Sequence, residues 1–321
     1  GESTDVGAAL FVTRDARVVV TSNVDSAQIF ERDLPRLGFQ LKERPWHEPR
    51  QTLVDDICRG RFVAGDVLSS GATDVSDRLL EMRLPLSEFE CRRMRELGRI
   101  VAHAVEATAR NCRRGTTEAE LAGEVAHRLT RHQVLPERIQ AWAQERAARY
   151  PHGRFGNQPV ERYGTISVVG RRWGLHAAAA RTFCFGKPDD ELRDAYFRAT
   201  LAQTTGMYFS QPDYDLGEVW DRVRRIYEKY GCPDEWQKSD QAEIIGYEAA
   251  EVPLVPRSSY RLERGLALFW HPLVGTAIVG DTVLTAENGF EPITGMEDWP
   301  RLHVEIKTSR IERPDILQRS E

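Results

Sequence analysis

Apolar residues recur at helical spacing through Met94, Leu97, Ile100, Val101 and Val105, which predicts a long helix with one buried stripe. Ser87-x-x-Glu90 ahead of it is a capping-box signature, and Gly115 can end the helix. Thr117-x-x-Glu120 repeats the signal for a second helix carrying Leu121, Val125 and Leu129. Residues 133–162 have weaker periodicity and run into a Gly/Pro-rich loop at 151–159. Residues 165–170 predict a short strand, and 188–207 and 216–230 two more helices. Strand-like runs follow at 266–272, 277–285 and 290–294, with Glu287-Asn288-Gly289 as a hairpin turn between the last two. The order helix, helix, strands, helix, helix, strands suggests two related halves.

The beginning of the chain has a different pattern. Residues 7–13 and 16–23 are short β-type runs, 25–37 is helical in period with Gly38 to stop it, 50–58 suggests another helix and 61–68 another strand. Leu84-Pro85-Leu86-Ser87 then punctuates the chain. The expected organisation is an N-terminal α/β domain at 1–82, a larger domain at 83–306 and a C-terminal tail at 307–321. The first residues read as a cut or tag boundary and carry no weight in the fold.

Composition narrows the class of protein. The chain has 321 residues, 41% hydrophobic and 29% charged, as in globular domains. No apolar run approaches the length that spans a bilayer. Net charge is −5 and the basic residues are scattered, so no nucleic-acid footprint is present. No basic segment followed by an apolar stretch marks a secretory signal, and the five cysteines are odd in number without CxxC spacing. Reduced thiols in a cytoplasmic protein are the expectation.

Three stretches carry a family resemblance. Gly174-Leu175-His176-Ala177-Ala178-Ala179-Ala180-Arg181-Thr182-Phe183 is similar to G-Y-x-x-D-x-T-R-T-F. Asp240-Gln241 with Gly246-Tyr247 and Glu251-x-Pro253 is similar to H-x-G…H-E-x-P, and residues 265–285, ending VGDTVLT, match a later strand pair. By these motifs, from Leu84 to Pro300, the chain resembles the creatinase / aminopeptidase P / methionine aminopeptidase family, and the N-terminal unit resembles a shortened companion domain of that family. The resemblance implies an α/β (α+β) fold with a C-terminal pita-bread domain, a hydrolase acting on a C–N bond, and a homodimer. It also implies two divalent metals held by two Asp, one His and two Glu. Those five positions hold Ser167, Ala178, Asp240, His271 and Gly280 here. Alanine and glycine offer no donor, so the expectation is no metal and no cofactor. Creatinase sets a metal-free precedent, but its histidine follows the R-T-x-F segment, where this chain has Gly186-Lys187-Pro188.

The candidate chemistry is therefore imidazole chemistry. His271 replaces a metal-binding Glu on a strand, and His152 lies in the 151–159 loop; both can move protons near neutrality. Asp240 and Glu251 fall on family site positions and can orient a base or grip a cation, whereas Glu243 and Glu248 read as a solvated face. Tyr247, Trp270, His176 and Arg181 are the expected substrate-binding residues. The leading expectation is a metal-independent, creatinase-like hydrolase or lyase for a small amino-acid-like molecule. The alternative is a non-catalytic module that binds a peptide or partner protein.

Overall fold

Val18, Val19 and Val20 are an unbroken apolar run because β2 (Arg17–Ser22) is the central strand of a three-stranded sheet. β1 (Ala8–Val12) pairs with it antiparallel and β3 (Gln40–Arg44) parallel. The structure, a computed structural model, describes residues 8–66, 71–287 and 289–320. The expected tag boundary and Asn288 of the expected hairpin turn lie outside the described residues. The chain divides into two compact units, Gly1–Leu80 and Glu81–Glu321. In the first unit β3 escapes sequence pattern because Gln-Leu-Lys-Glu-Arg is a polar edge strand. The helix expected over 25–37 is shorter, a helical stretch at Gln28–Asp33 capped by Leu34; Pro35 disfavours helical geometry at the residue before it. α1 (Arg50–Cys58), β4 (Ala64–Gly65) and β5 (Thr73–Asp74) complete the unit, and α2 (Ser76–Arg83) runs out of it.

The second unit begins with two capped helices. In α3 (Glu88–Asn111) the Glu90 carboxylate accepts from Ser87 N at 2.7 Å, and in α4 (Glu118–Arg131) Glu120 accepts from Thr117 N at 2.7 Å. Their apolar stripes bury Met94, Leu97, Val101, Val105, Leu121, Val125 and Leu129 against β7 (Tyr163–Arg172) and β8 (Leu175–Phe185). Between them come β6 (Leu135–Ala143) and the single turn α5 (Arg146–Arg149). α6 (Asp190–Phe209) and α7 (Leu216–Lys229) follow, then β9 (Ala242–Ile245), β10 (Val252–Pro253) and β11 (Ala267–Trp270). The hairpin β12 (Leu273–Val274) and β13 (Ala277–Ile278) precedes β14 (Gly280–Ala286) and β15 (Gly289–Pro292). The large sheet runs β10-β9-β11-β14-β8-β7-β6, with β15 also on β14.

Two regions differ from expectation for physical reasons. β6 shows no amphipathic signal because it alternates core-facing Ile139 and Ala141 with Arg138 and Gln140, and the second set faces a polar cleft. Residues 307–320, expected as most of a tail, are not one. β17 (Ser309–Pro314) pairs with β16 (Arg301–Ile306), and β18 (Leu317–Arg319) adds parallel to β8. Ile316 and Arg313 are buried there, so the segment is part of the core. Among the described residues no helix is long and apolar enough to cross a membrane.

Candidate active site

Directly opposed residues of neighbouring strands share a face. The register places Gln140, Ser167, Ala180 and Gly280 in one row across β6, β7, β8 and β14. Phe269 on β11 opposes Thr282 on one side and Glu243 on the other, so Glu243 belongs to the same inner face. His271 follows β11 and is fixed by its backbone N–H donating to Gln241 O at 2.8 Å. Its ring stacks on Phe269 with centroids 4.5 Å apart. His271 Nε2 lies 2.5 Å from Glu243 Oε2 and 3.8 Å from Asp240 Oδ2. Asp240 Oδ1 is in turn 3.2 Å from His152 Nε2. Arg138 Nη2 stands 3.8 Å from the other Glu243 oxygen. The cavity lined by Arg138, His152, Asp240 and His271 is small, about 20 Å³, which is room for one water.

Buried electrostatics hold the cluster together. Burial disfavours a charged His271 ring, but Glu243 and then Asp240 outweigh it and raise the His271 pKa above the ordinary value. Burial also pushes Asp240 up, but His271, His152 and the Ser239 hydroxyl outweigh that and hold it below the usual carboxylate range. His152 is brought to this cluster by a loop clamped from beneath. Glu118, the first residue of α4, is fully buried; its Oε1 accepts from Ala143 N at 2.8 Å and its Oε2 from Gly156 N at 2.6 Å, with Arg146 Nη1 at 3.0 Å.

Three expected residues, His271, His152 and Asp240, thus converge. The other five do not. Glu251 faces Arg83 at 2.5 Å and accepts from Glu248 N at 2.9 Å, because the β10 pairing carries it past the cleft. The Tyr247 hydroxyl donates to Glu90 at the start of α3, and burial together with that carboxylate pushes its pKa up to about 12. Trp270 alternates with Phe269 and His271, so it points to the helix side, where its indole N–H donates to Ser210 Oγ at 3.0 Å. His176 is buried two positions before Ala178, and its Nδ1 donates to Gly246 O at 3.0 Å; burial lowers its pKa.

Arg181 also alternates away from the cleft, into a buried charge network on the helix side. Its Nε donates to Glu106 at 3.0 Å and its Nη1 to Asp281 at 2.9 Å, and Arg313 closes on the second Asp281 oxygen. It is fully buried and does not reach the cavity. Glu243 was missed because an acidic residue beside Asp240 reads as solvated. The usable signal was its place in the strand Ala-Glu-Ile-Ile, where an otherwise apolar run makes a buried carboxylate stand out.

The donor set does not fit a dinuclear metal centre. Ala178 and Gly280 lack donors, and a Cβ on Gly280 would lie 2.7 Å from the Ala180 Cβ and 3.1 Å from the Phe269 ring, so the space for a fifth ligand is filled. Asp240, Glu243 and His271 could each offer one ligand atom, all within 4.8 Å of one another, one donor more than sequence showed. Glu243, however, already bonds the imidazole and faces the Arg138 guanidinium, a fixed positive charge that opposes a cation.

The fold matches known proteins. The sequence profile described as Metallopeptidase family M24 matches residues 92–297. The "Xaa-Pro dipeptidase" sequences of Pyrococcus horikoshii and Pyrococcus furiosus are each 23% identical over 232 residues, which is 70% of this chain and 66% of theirs. The chain thus spans just under two thirds of the length of those curated relatives. Among solved structures, the Xaa-Pro dipeptidase from Bacillus anthracis superposes with a TM-score of 0.79 at 18% identity, over 98% of this chain and 90% of that one. The prolidase from Pyrococcus furiosus gives 0.77 at 19% identity, over 90% of each chain. By name these relatives are hydrolases, in agreement with the class expected from sequence, and they carry the pita-bread fold. The profile covers well over half of the chain, and the chain belongs to metallopeptidase family M24.

Proposed function

We propose that the protein is a hydrolase of this family that cleaves a C–N bond of a small amino-acid-like substrate without metal. The observation that carries this reading is the His271–Glu243 pair at 2.5 Å, in the place where the family's ligand positions have become Ser167, Ala178 and Gly280. A buried carboxylate on one imidazole nitrogen fixes its tautomer and orientation, leaving the other nitrogen to exchange a proton. In the neutral form, reached as pH rises through its raised pKa, His271 takes the proton of an attacking water and returns it to the leaving nitrogen. His152, beside Asp240 at the mouth, is a second proton carrier. Elimination of the C–N bond, the lyase variant, uses the same base to remove a carbon-bound proton.

The same reading takes the protein as cytoplasmic, supported by its five free cysteines, and as a homodimer, supported by the resemblance of its first unit to a companion domain. The test is incubation with small amides, guanidines and cyclic amidines in chelator, with products read by mass spectrometry. Turnover that needs added divalent metal sinks the metal-free reading, and light scattering that finds only monomer removes the dimer. A second reading, a non-catalytic peptide or protein binder, is favoured by the small cavity, about 20 Å³. Absence of turnover on the whole panel, with a partner bound, would select it.

A further inference from the structure

His271 and Asp240 are tied together by one residue. The Gln241 carbonyl accepts from His271 N at 2.8 Å, and Asp240 directly precedes Gln241 in the chain. This contact extends the β11–β9 ladder one step past the Trp270–Ala242 pair. Strand parity turns the Asp240 side chain to the cleft and leaves the Gln241 side chain on the helix side, where the residue is 3% exposed.

The buried Gln241 amide is engaged at both ends. Its Nε2 donates to Ser239 O at 2.7 Å and to Trp236 O at 3.4 Å, and its Oε1 accepts from the Tyr227 hydroxyl. Ser239 Oγ in turn donates to Asp240 Oδ1 at 3.0 Å. The side chain thus closes the 236–241 turn on itself with Asp240 inside it. The Tyr227 hydroxyl is delivered by α7, whose Trp220, Val223 and Tyr227 recur at i, i+3 and i+7 on the buried face. Trp220 meets Trp236 edge-on, with ring centroids 5.0 Å apart, and so packs the helix against the same turn. Tyr227 is 1% exposed, and burial pushes its pKa up, so the hydroxyl stays protonated and is a fixed donor.

We infer that Tyr227 and Gln241 are positioning residues, which hold the His271 ring against Glu243 and the Asp240 carboxylate beside it. The inference rests on the reading of this cleft as the catalytic site. Neither residue lines the cavity, so both act through His271 and Asp240. Without the hydroxyl, the Gln241 amide has a buried acceptor left unpaired and turns to satisfy it. That movement releases Ser239 O and shifts both site residues together.

Tyr227→Phe removes only the hydroxyl, and Gln241→Met keeps the side-chain length without its polar atoms. The control is Tyr196→Phe, which deletes a buried hydroxyl bonded to Pro314 O at 2.9 Å on α6. The first readout is the imidazole N–H proton of His271 that bonds Glu243, identified in the NMR spectrum by its absence from His271→Ala. Tyr227→Phe and Gln241→Met should speed its exchange with solvent by about tenfold or more, and Tyr196→Phe should leave it unchanged. The second is turnover of whichever amide, guanidine or cyclic amidine the parent hydrolyses. In both variants kcat should fall by roughly ten- to a hundredfold, with KM within about twofold. The double variant should be no worse than the weaker single one, because the two residues act as one unit. Thermal melting should show similar losses for Tyr227→Phe and Tyr196→Phe, so a general loss of stability does not explain the difference. A parent without the protected proton, a folded Tyr227→Phe with unchanged exchange and kcat, or an equal effect of Tyr196→Phe would each overturn the assignment. If no member of the panel is turned over, the hydrolase reading fails, and the exchange rates still decide whether Tyr227 and Gln241 position His271.

Discussion

Glu118 offers a direct test of how the cleft is assembled. Glu118→Gln keeps the side-chain shape. Its amide oxygen can still accept from Ala143 N, but the new NH₂ faces Gly156 N, 2.6 Å from the original oxygen, and the Arg146 guanidinium at 3.0 Å. Donors then face donors. A charge-assisted hydrogen bond is worth about 1.5–3 kcal/mol, and breaking a buried ion pair costs about 3–5 kcal/mol. Arg146 is 31% exposed and can turn to water, which places the expected loss near the low end, about 3 kcal/mol. For a unit of this size that is a fall in melting temperature of roughly 6–12 °C. The loss is also local, because Gly156 and Ala119 are joined through the same segment (Ala119 N donates to Gly156 O at 2.9 Å). Urea unfolding followed by tryptophan fluorescence gives the global term, and hydrogen exchange of residues 150–159 gives the local one. A variant within about 1 kcal/mol of the parent, with unchanged exchange in that loop, would refute the idea that Glu118 holds the segment presenting His152.

His271→Ala should lower turnover by roughly 10²–10⁴-fold, while His303→Ala, which changes a histidine on β16 half exposed beside Glu312, should leave it unchanged; the kinetics of both on one substrate decide. The folded His271 pKa is raised, so its stabilisation is fully present below 6.5 and is lost as pH rises through the folded value. Asp240 has the opposite sign: its contribution is present above 3.8 and lost as pH falls through its lowered folded value. Unfolding free energies across pH for the parent, His271→Gln and Asp240→Asn should show the alkaline loss flattened in the first variant and the acid loss in the second. Gly206→Ala should destabilise by about 1–3 kcal/mol or more, because its Cβ would lie 2.4 Å from the Trp270 ring; thermal melting checks it, and an unchanged midpoint would contradict the packing.

The helices were legible because capping and burial act locally. Ser87, Thr117 and their N3 glutamates announce α3 and α4, and the apolar stripes behind them point at one sheet face. β6 and β3 were not legible, since a strand lining a polar cleft or a sheet edge lacks apolar alternation. β17 and β18 were hidden for a different reason: their burial depends on long-range partners, Asp281 for Arg313 and β8 for Leu317. For the site, motif spacing brought out Asp240 and His271, but motif positions carry no side-chain direction. Strand parity sends Trp270 and Arg181 to the helix side while Phe269 and His271 face the cleft. Glu243 emerges only when β9 is set against β11, because its partner His271 is 28 positions away in sequence.

The central claim is that imidazole and carboxylate groups replace the family's metals. The most direct measurement is elemental analysis of the purified protein before and after chelation, with Mn²⁺, Co²⁺ and Zn²⁺ titrated back by calorimetry. The account predicts no stoichiometric transition metal and no saturable site that disappears in His271→Ala or Glu243→Gln. One or two ions per chain, bound through Asp240, Glu243 and His271 and needed for turnover, would contradict it.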